Sequence, residues 1–225
     1  MGQGGRVQPE RSKLWWFGWR KRTGGAIGGY RARQHWELIV AADFFTVEVW
    51  TRRGLQRWMV LFLIDLRTRK VEIAGIAADV NGLWMSQIAR NLTDGIEGIL
   101  RGKRYLIHDR DGVFLPLDGV LHTEGAEVIK TPPQSPMCNA YAERFVRESR
   151  ETLDNLILLG EQHFRHVLWQ IEQHHNQHRP HQGLGNVVPF RFEYPDQPAP
   201  LATVRCDAAL GGLLNHYYYA EKVAA

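Results

Sequence analysis

Cysteine is nearly missing. The 225 residues contain two, Cys138 and Cys206, too far apart to suggest a disulfide framework and without the CxxC spacing of a zinc site. A reducing, cytoplasmic setting is the expectation that follows. No apolar run reaches the roughly 18 residues that a membrane helix needs, so no membrane span is expected. A secretory leader is equally unsupported, because Arg20, Lys21 and Arg22 break the apolar stretches near the start. Acid is scarce over residues 1–35, where Glu10 stands alone against Arg6, Arg11, Lys13, Arg20, Lys21, Arg22, Arg31 and Arg33. This basic arm is interleaved with Trp15, Trp16 and Trp19. Two readings stay open for it: a segment that tracks a phosphate backbone and stacks on bases, or a solvated, disordered extension.

What is present is ordinary in amount. Hydrophobic residues make up 44% and charged residues 23%, with a net charge of +4 and a pI near 9.2. This suits one soluble globular domain with a real core. Past Gly24, Gly25, Gly28 and Gly29 the texture changes. Residues 36–50 are β-branched and aromatic and read as a strand. Residues 52–54 read as a turn. The apolar run 57–66 reads as a strand buried on both faces, and 70–77 as a third, antiparallel to the second. A helix capped by Asn81 or Asp79 then runs through Trp84, Ile88 and Leu92. Residues 104–108 and 127–130 read as short strands. Pro132, Pro133 and Pro136 forbid regular structure up to about Met137. One helix is expected from Asn139 to about Leu159, ended by Gly160, and another over 161–178, stopped by Pro180. A Pro-containing tail closes on an apolar, aromatic segment, 210–219. The order predicts a mixed sheet with helices on its faces.

Three acids fall where metal chemistry is possible. Phosphoryl transfer on DNA needs attacking and leaving oxygens held in line and their charge neutralised, and two divalent ions about 4 Å apart do both. Mg²⁺ prefers carboxylate oxygens, so such a site gathers acids that would otherwise repel one another. Asp43 interrupts an apolar strand, a position where Asp is rare. Asp109 follows a strand end, the edge where α/β proteins bind ligands. Glu143 lies in the first turns of a helix. Singly, each has a plainer reading: a surface acid on an edge strand, a turn-former in Asp-x-Asp-Gly, and a favourable charge at a helix start. Their joint appearance in this element order weakens those alternatives. His163, His166, His174, His175, His178 and His181 suggest zinc, which the lack of nearby cysteines argues against. Asp65 reads as a turn-former, and His108 either orients Asp109 or simply packs.

The segments AADFFTVEVW, IHDRDGVF and TPPQSPMCNAYAERF resemble the catalytic core of retroviral-type integrases and related insertion-sequence transposases. The resemblance spans 36–186 and implies a ribonuclease-H-like fold, a mixed five-stranded sheet flanked by helices. It implies Asp43, Asp109 (five before Phe114) and Glu143 (four after Asn139) as catalytic and metal-ligating residues, with two Mg²⁺ or Mn²⁺ ions. Asp111 is the alternative second carboxylate. Arg150 stands seven positions past Glu143, two helical turns on, and with Arg144, Arg147 and Arg179 is expected to meet DNA. The run Asn176–Leu184 resembles the closing Asn-x-x-Arg-Pro-His-x-x-Leu motif. The spacer between Asp109 and Glu143, 143 − 109 − 1 = 33 residues, is slightly short for such cores. No helix-turn-helix for reading element ends is apparent in residues 1–35.

The expected organisation is therefore a basic arm (1–35), a catalytic core (36–186) and a C-terminal tail (187–225). The expected activity is metal-dependent hydrolysis and strand transfer by a DNA transposase or integrase, acting as a homo-oligomer on element ends and target DNA. Two other readings keep the fold: a truncated or inactive element remnant that only binds DNA or a partner transposase, and a nuclease acting on RNA–DNA hybrids.

Overall fold

The computed structural model describes residues 36–96, 98–131, 140–190 and 203–220. The basic arm, the proline-rich run 132–139 and Cys138 lie outside the described residues. A short 3-10 turn, Trp36–Leu38, leads into β1 (Ile39–Thr51), β2 (Gly54–Asp65) and β3 (Val71–Ala77). Each strand pairs antiparallel with the one before it. Gly54 makes the first turn possible, because its φ of 94° is strained for any other residue. Asp65 builds the second. Its Oδ1 accepts the backbone N–H groups of Arg67 and Thr68 at 2.8 and 3.1 Å, the turn chemistry expected of it. Its Oδ2 accepts from Lys103 Nζ at 2.6 Å.

Then the period changes from two to 3.6. Asn81 Oδ1 accepts the Trp84 N–H at 3.0 Å and caps α1 (Gly82–Leu92). That helix returns the chain so that β4 (Tyr105–His108) lies parallel to β1. α2 (Leu115–Thr123) repeats the crossover for β5 (Glu127–Lys130), parallel to β4. The sheet order is β3-β2-β1-β4-β5. α3 (Ala140–Leu153) and α4 (Gly160–Gln177) follow, and β6 (Thr203–Ala209) and β7 (Leu214–Ala220) form a separate antiparallel pair.

Alternation along β1 divides the core. Ile39, Ala41, Phe45 and Val49 face α3 and α4, while Val40 and Ala42 face α1 and α2. Phe62 of β2 is wholly buried on the first side, its ring 5.9 Å from Phe45 and 4.8 Å from Phe145 of α3. Met85, Ile88 and Leu92 of α1 meet Leu117 and Leu121 of α2 on the second. Each such side chain contributes about 1.5–3 kcal/mol over an exposed one, so both faces of the central strands are firmly held. The result is the expected mixed five-stranded sheet flanked by helices. The outer edge of β3 is covered by α4. Asn176 accepts the Val71 N–H and donates to the Val71 carbonyl, both at 2.8 Å. The Val71 end of the edge is thereby closed to another strand.

Several expectations need correction. The helix expected from Asn139 to Leu159 stops at Leu153. The Trp50 N–H donates to the Leu158 carbonyl at 2.9 Å, and this long-range pairing draws the apolar stretch 156–159 along β1. Gly160, at φ 76°, opens α4 and does not end α3. α2 was not anticipated. Pro116 and Gly119 disguise it, although proline is tolerated in a first turn, where the N–H has no intrahelical partner. β1 starts at Ile39, and β2 is buried only from Val60 onward. The C-terminal tail contains β6 and β7, and Leu214 packs into the α3–α4 core. Among the described residues no helix is long and apolar enough to cross a membrane.

Candidate active site

The place of the site follows from where pairing stops. β2 accompanies β1 over Val40–Thr51, whereas β4 accompanies it only over Ile39–Ala41. From Asp43 to Val49 the second edge of β1 pairs with no strand among the described residues. Even-numbered residues turn their backbone groups to that edge: Asp43 Oδ1 accepts the Phe44 N–H at 2.8 Å, the Thr46 carbonyl accepts from Arg150 Nη2 at 3.4 Å, and Trp50 pairs with Leu158. α3 runs beside the opening. Residues of its outer face and of β1 line a cleft of about 460 Å³: Asp43, Phe44, Glu143, Val146, Arg147, Arg150, Glu151 and Asp154. Glu143, Arg147, Arg150 and Asp154 recur at intervals of four and three, one stripe of a helix.

Asp43 is the most perturbed acid there. Burial is the largest cause, and it pushes the carboxyl up to about 6. The Phe44 N–H opposes this, while the charges of Asp109 and Glu143 add to it. Partial burial also raises Glu143. The three predicted acids therefore share one electrostatic neighbourhood, although Asp109 does not line the cleft. Carboxylate oxygens are hard donors, the chemistry suited to Mg²⁺ or Mn²⁺. Among the described residues, however, no three His, Cys, Asp or Glu groups stand close enough to hold one ion. The same finding leaves the α4 histidines without a zinc site among the described residues.

After β4 the two neighbouring acids differ in their bonding. Asp109 Oδ1 accepts the Asp111 N–H at 3.1 Å, and Asp111 Oδ1 caps the next turn by accepting the Val113 N–H at 3.0 Å. His108 is fully buried and stacked 4.1 Å from the Phe114 ring. Its Nδ1 lies 2.5 Å from the Asp109 carbonyl and its Nε2 2.8 Å from Asp118 Oδ1, whose other oxygen takes Lys130 Nζ at 2.9 Å. His108 thus both packs and fixes the backbone at Asp109. Asp118 was missed with its helix. Of the four arginines expected to meet DNA, Arg147 and Arg150 line the cleft. Arg144 and Arg179 instead both pair with Glu148, at 3.1 and 2.9 Å. Glu148 was not singled out from sequence, because nothing local marks it off from any helical Arg–Glu pair.

One comparison with known proteins agrees with the motifs. Residues 124–189 match the family model described as Integrase core domain, which bears out the integrase resemblance in the segment carrying Glu143 and Asn176–Leu184. Asp43 and Asp109 lie outside that segment. No curated protein matches. Among solved structures, the catalytic core domain of BIV integrase is similar at 15% identity and a TM-score of 0.49, over 68% of this chain and 91% of that one.

Proposed function

We propose that this chain is the catalytic core of a DNA transposase or integrase, which hydrolyses a phosphodiester at an element end and joins the freed 3′-hydroxyl to target DNA. One observation carries the reading. Asp43 is an acid in mid-strand, largely withdrawn from water, with its carboxyl held up to about 6 by burial and by two other carboxylates. A fold gains nothing from that arrangement unless a cation is shared among the acids. When bound, two Mg²⁺ or Mn²⁺ ions supply neutralisation of the charge on the attacking and leaving oxygens. Asp43, Asp109 and Glu143 would hold them. Arg147 and Arg150, on the same helical stripe as Glu143, bind the phosphate backbone and set the strand's register. No side-chain nucleophile and no covalent protein–DNA intermediate are involved. The partners are element-end and target DNA and a second copy of the chain, acting in the cytoplasm on the nucleoid.

The test is strand transfer on labelled oligonucleotides that carry the element ends. Asp43→Asn, Asp109→Asn and Glu143→Gln abolish product, and Asp111→Asn retains it. Activity that survives Asp43→Asn or Glu143→Gln refutes the mechanism. An inactive Asp111→Asn beside an active Asp109→Asn moves the second carboxylate to Asp111. A second reading, an element remnant that binds DNA without cutting it, has one observation in its favour: the described residues offer no ready cluster of three ligands. Retained binding of the same oligonucleotides without cleavage at any Mg²⁺ or Mn²⁺ concentration would select it.

A further inference from the structure

The run Asn176–Leu184 stands out in the sequence, yet none of its residues lines the cleft beside Asp43 and Glu143. Its Arg179 pairs instead with Glu148. Glu148 Oε1 accepts a hydrogen bond from Arg144 Nε at 3.1 Å and forms an ion pair with Arg179 Nη2 at 2.9 Å, while Oε2 lies 3.5 Å from His175 Nδ1. Burial works to raise this carboxyl, but His175, Arg179 and Arg144 outweigh it and leave it below its ordinary value. The partners are themselves anchored. His175 Nε2 meets the Arg69 carbonyl at 3.0 Å, and Asn176 is fixed to both backbone groups of Val71 at 2.8 Å. Glu148 thereby ties α3 to the frame made by α4 and the β3 end of the sheet.

The direction of the tie matters. Five residues at about 100° each put Glu148 about 140° round the helix from Glu143. Arg147 and Arg150 lie close to Glu143's side, and Ala142, Phe145 and Leu153 form the buried face between the two flanks. Apolar contacts on that face hold α3 against the sheet but restrain its roll weakly, because dispersion is not directional. The 2.9 Å ion pair between Glu148 and Arg179, on the flank away from the cleft, fixes a short distance that a roll of the helix would break. We propose that Glu148, paired with Arg179 beside His175, is a positioning residue that sets the roll of α3 and hence how Glu143 faces Asp43. The inference rests on the carboxylate reading above and assigns the Asn-x-x-Arg-Pro-His run a mechanical role in it.

The experiment is a Mn²⁺ titration of the chelator-treated full chain, followed by thermal melting and by the electron paramagnetic resonance of free Mn²⁺. Asp43→Asn marks binding at the site. Glu148→Gln and Arg179→Gln each raise the Mn²⁺ midpoint about tenfold, the loss typical of residues that orient ligands. The double variant goes no further than either single one, because both cut the same tie. Arg179→Lys recovers most of the affinity. A purely structural contact would lower the melting temperature and leave the Mn²⁺ midpoint alone. Midpoints within twofold of wild type in both single variants overturn the inference. Should Glu148→Gln not fold, Arg179→Gln decides, since its side chain is 36% exposed. A wild type without Asp43-dependent Mn²⁺ uptake overturns the carboxylate reading, and the inference with it.

Discussion

Replacing Asp43 by Asn should make the metal-free protein more stable while destroying its activity. The Asp43 carboxyl rises from 3.8 to about 6 on folding, so between these pH values the folded state binds a proton that the unfolded state has released. Stability therefore falls as pH rises through this window, and above it the full penalty of an ionised, half-buried acid remains. At 1.36 kcal/mol per pH unit the shift corresponds to about 3 kcal/mol, an upper bound that residual solvation reduces to about 1–3 kcal/mol. Asparagine keeps the oxygen that accepts the Phe44 N–H and directs an amide, not a charge, at Asp109 and Glu143. Urea denaturation of chelated protein at pH 7.5 should show Asp43→Asn ahead of wild type by that amount. The gap should close below pH 4. Added Mg²⁺ should stabilise wild type and leave the variant unchanged. A variant no more stable than wild type at pH 7.5, or a gap that ignores pH, refutes the electrostatic account of the site.

Two further perturbations probe the β3 edge. Burial first, and the neighbouring Glu72 charge second, push Glu172 up to about 7, so Glu172→Gln should add about 1–2 kcal/mol at pH 8 after solvent screening is allowed for. That gain should vanish below pH 4.5 and, unlike that of Asp43→Asn, should not respond to Mg²⁺. Asn176→Ala removes the partner of both backbone groups of Val71 and should cost about 2–4 kcal/mol in urea denaturation, the penalty for two unsatisfied buried groups.

How much of this was legible depended on the range of the interactions involved. β5 at 127–130, α4 and the Asn81 cap were readable because alternation, helical period and capping chemistry are local. α2 was hidden by Pro116 and Gly119, which signal breaks yet sit harmlessly in a short crossover helix. The end of α3 was unreadable for the opposite reason. Residues 156–159 look like more helix, and only Trp50, more than a hundred positions earlier in the chain, draws them along β1. The site divides along the same line. Asp43, Asp109 and Glu143 stood out because an acid in an apolar strand, an acid at a strand end and an acid at a helix start are each odd or suggestive locally. Glu148 and Asp118 look like ordinary helical acids until the fold brings Arg179, His175 and His108 to them.

The choice between Asp109 and Asp111 as second carboxylate turns on what else each side chain does. Asp111 has a local task, holding the Val113 N–H at the start of the 3-10 turn Gly112–Phe114. Asp109 makes the same kind of turn bond, to the Asp111 N–H, but its backbone is also held from the core by His108, itself fixed between Asp118 and the Phe114 ring. Of the two acids, it is Asp109 whose charge reaches Asp43. Asparagine caps turns and helices about as well as aspartate, whereas alanine loses about 1 kcal/mol. Asp111→Asn is thus a nearly silent change in structure that removes only a charge, and Asp111→Ala removes the cap as well. If Asp109 is the ligand, Asp111→Asn should match wild type in both melting temperature and strand transfer, and Asp111→Ala should lose stability before it loses activity. Asp111→Asn that melts normally but transfers no strand would show that the charge at 111 does chemistry.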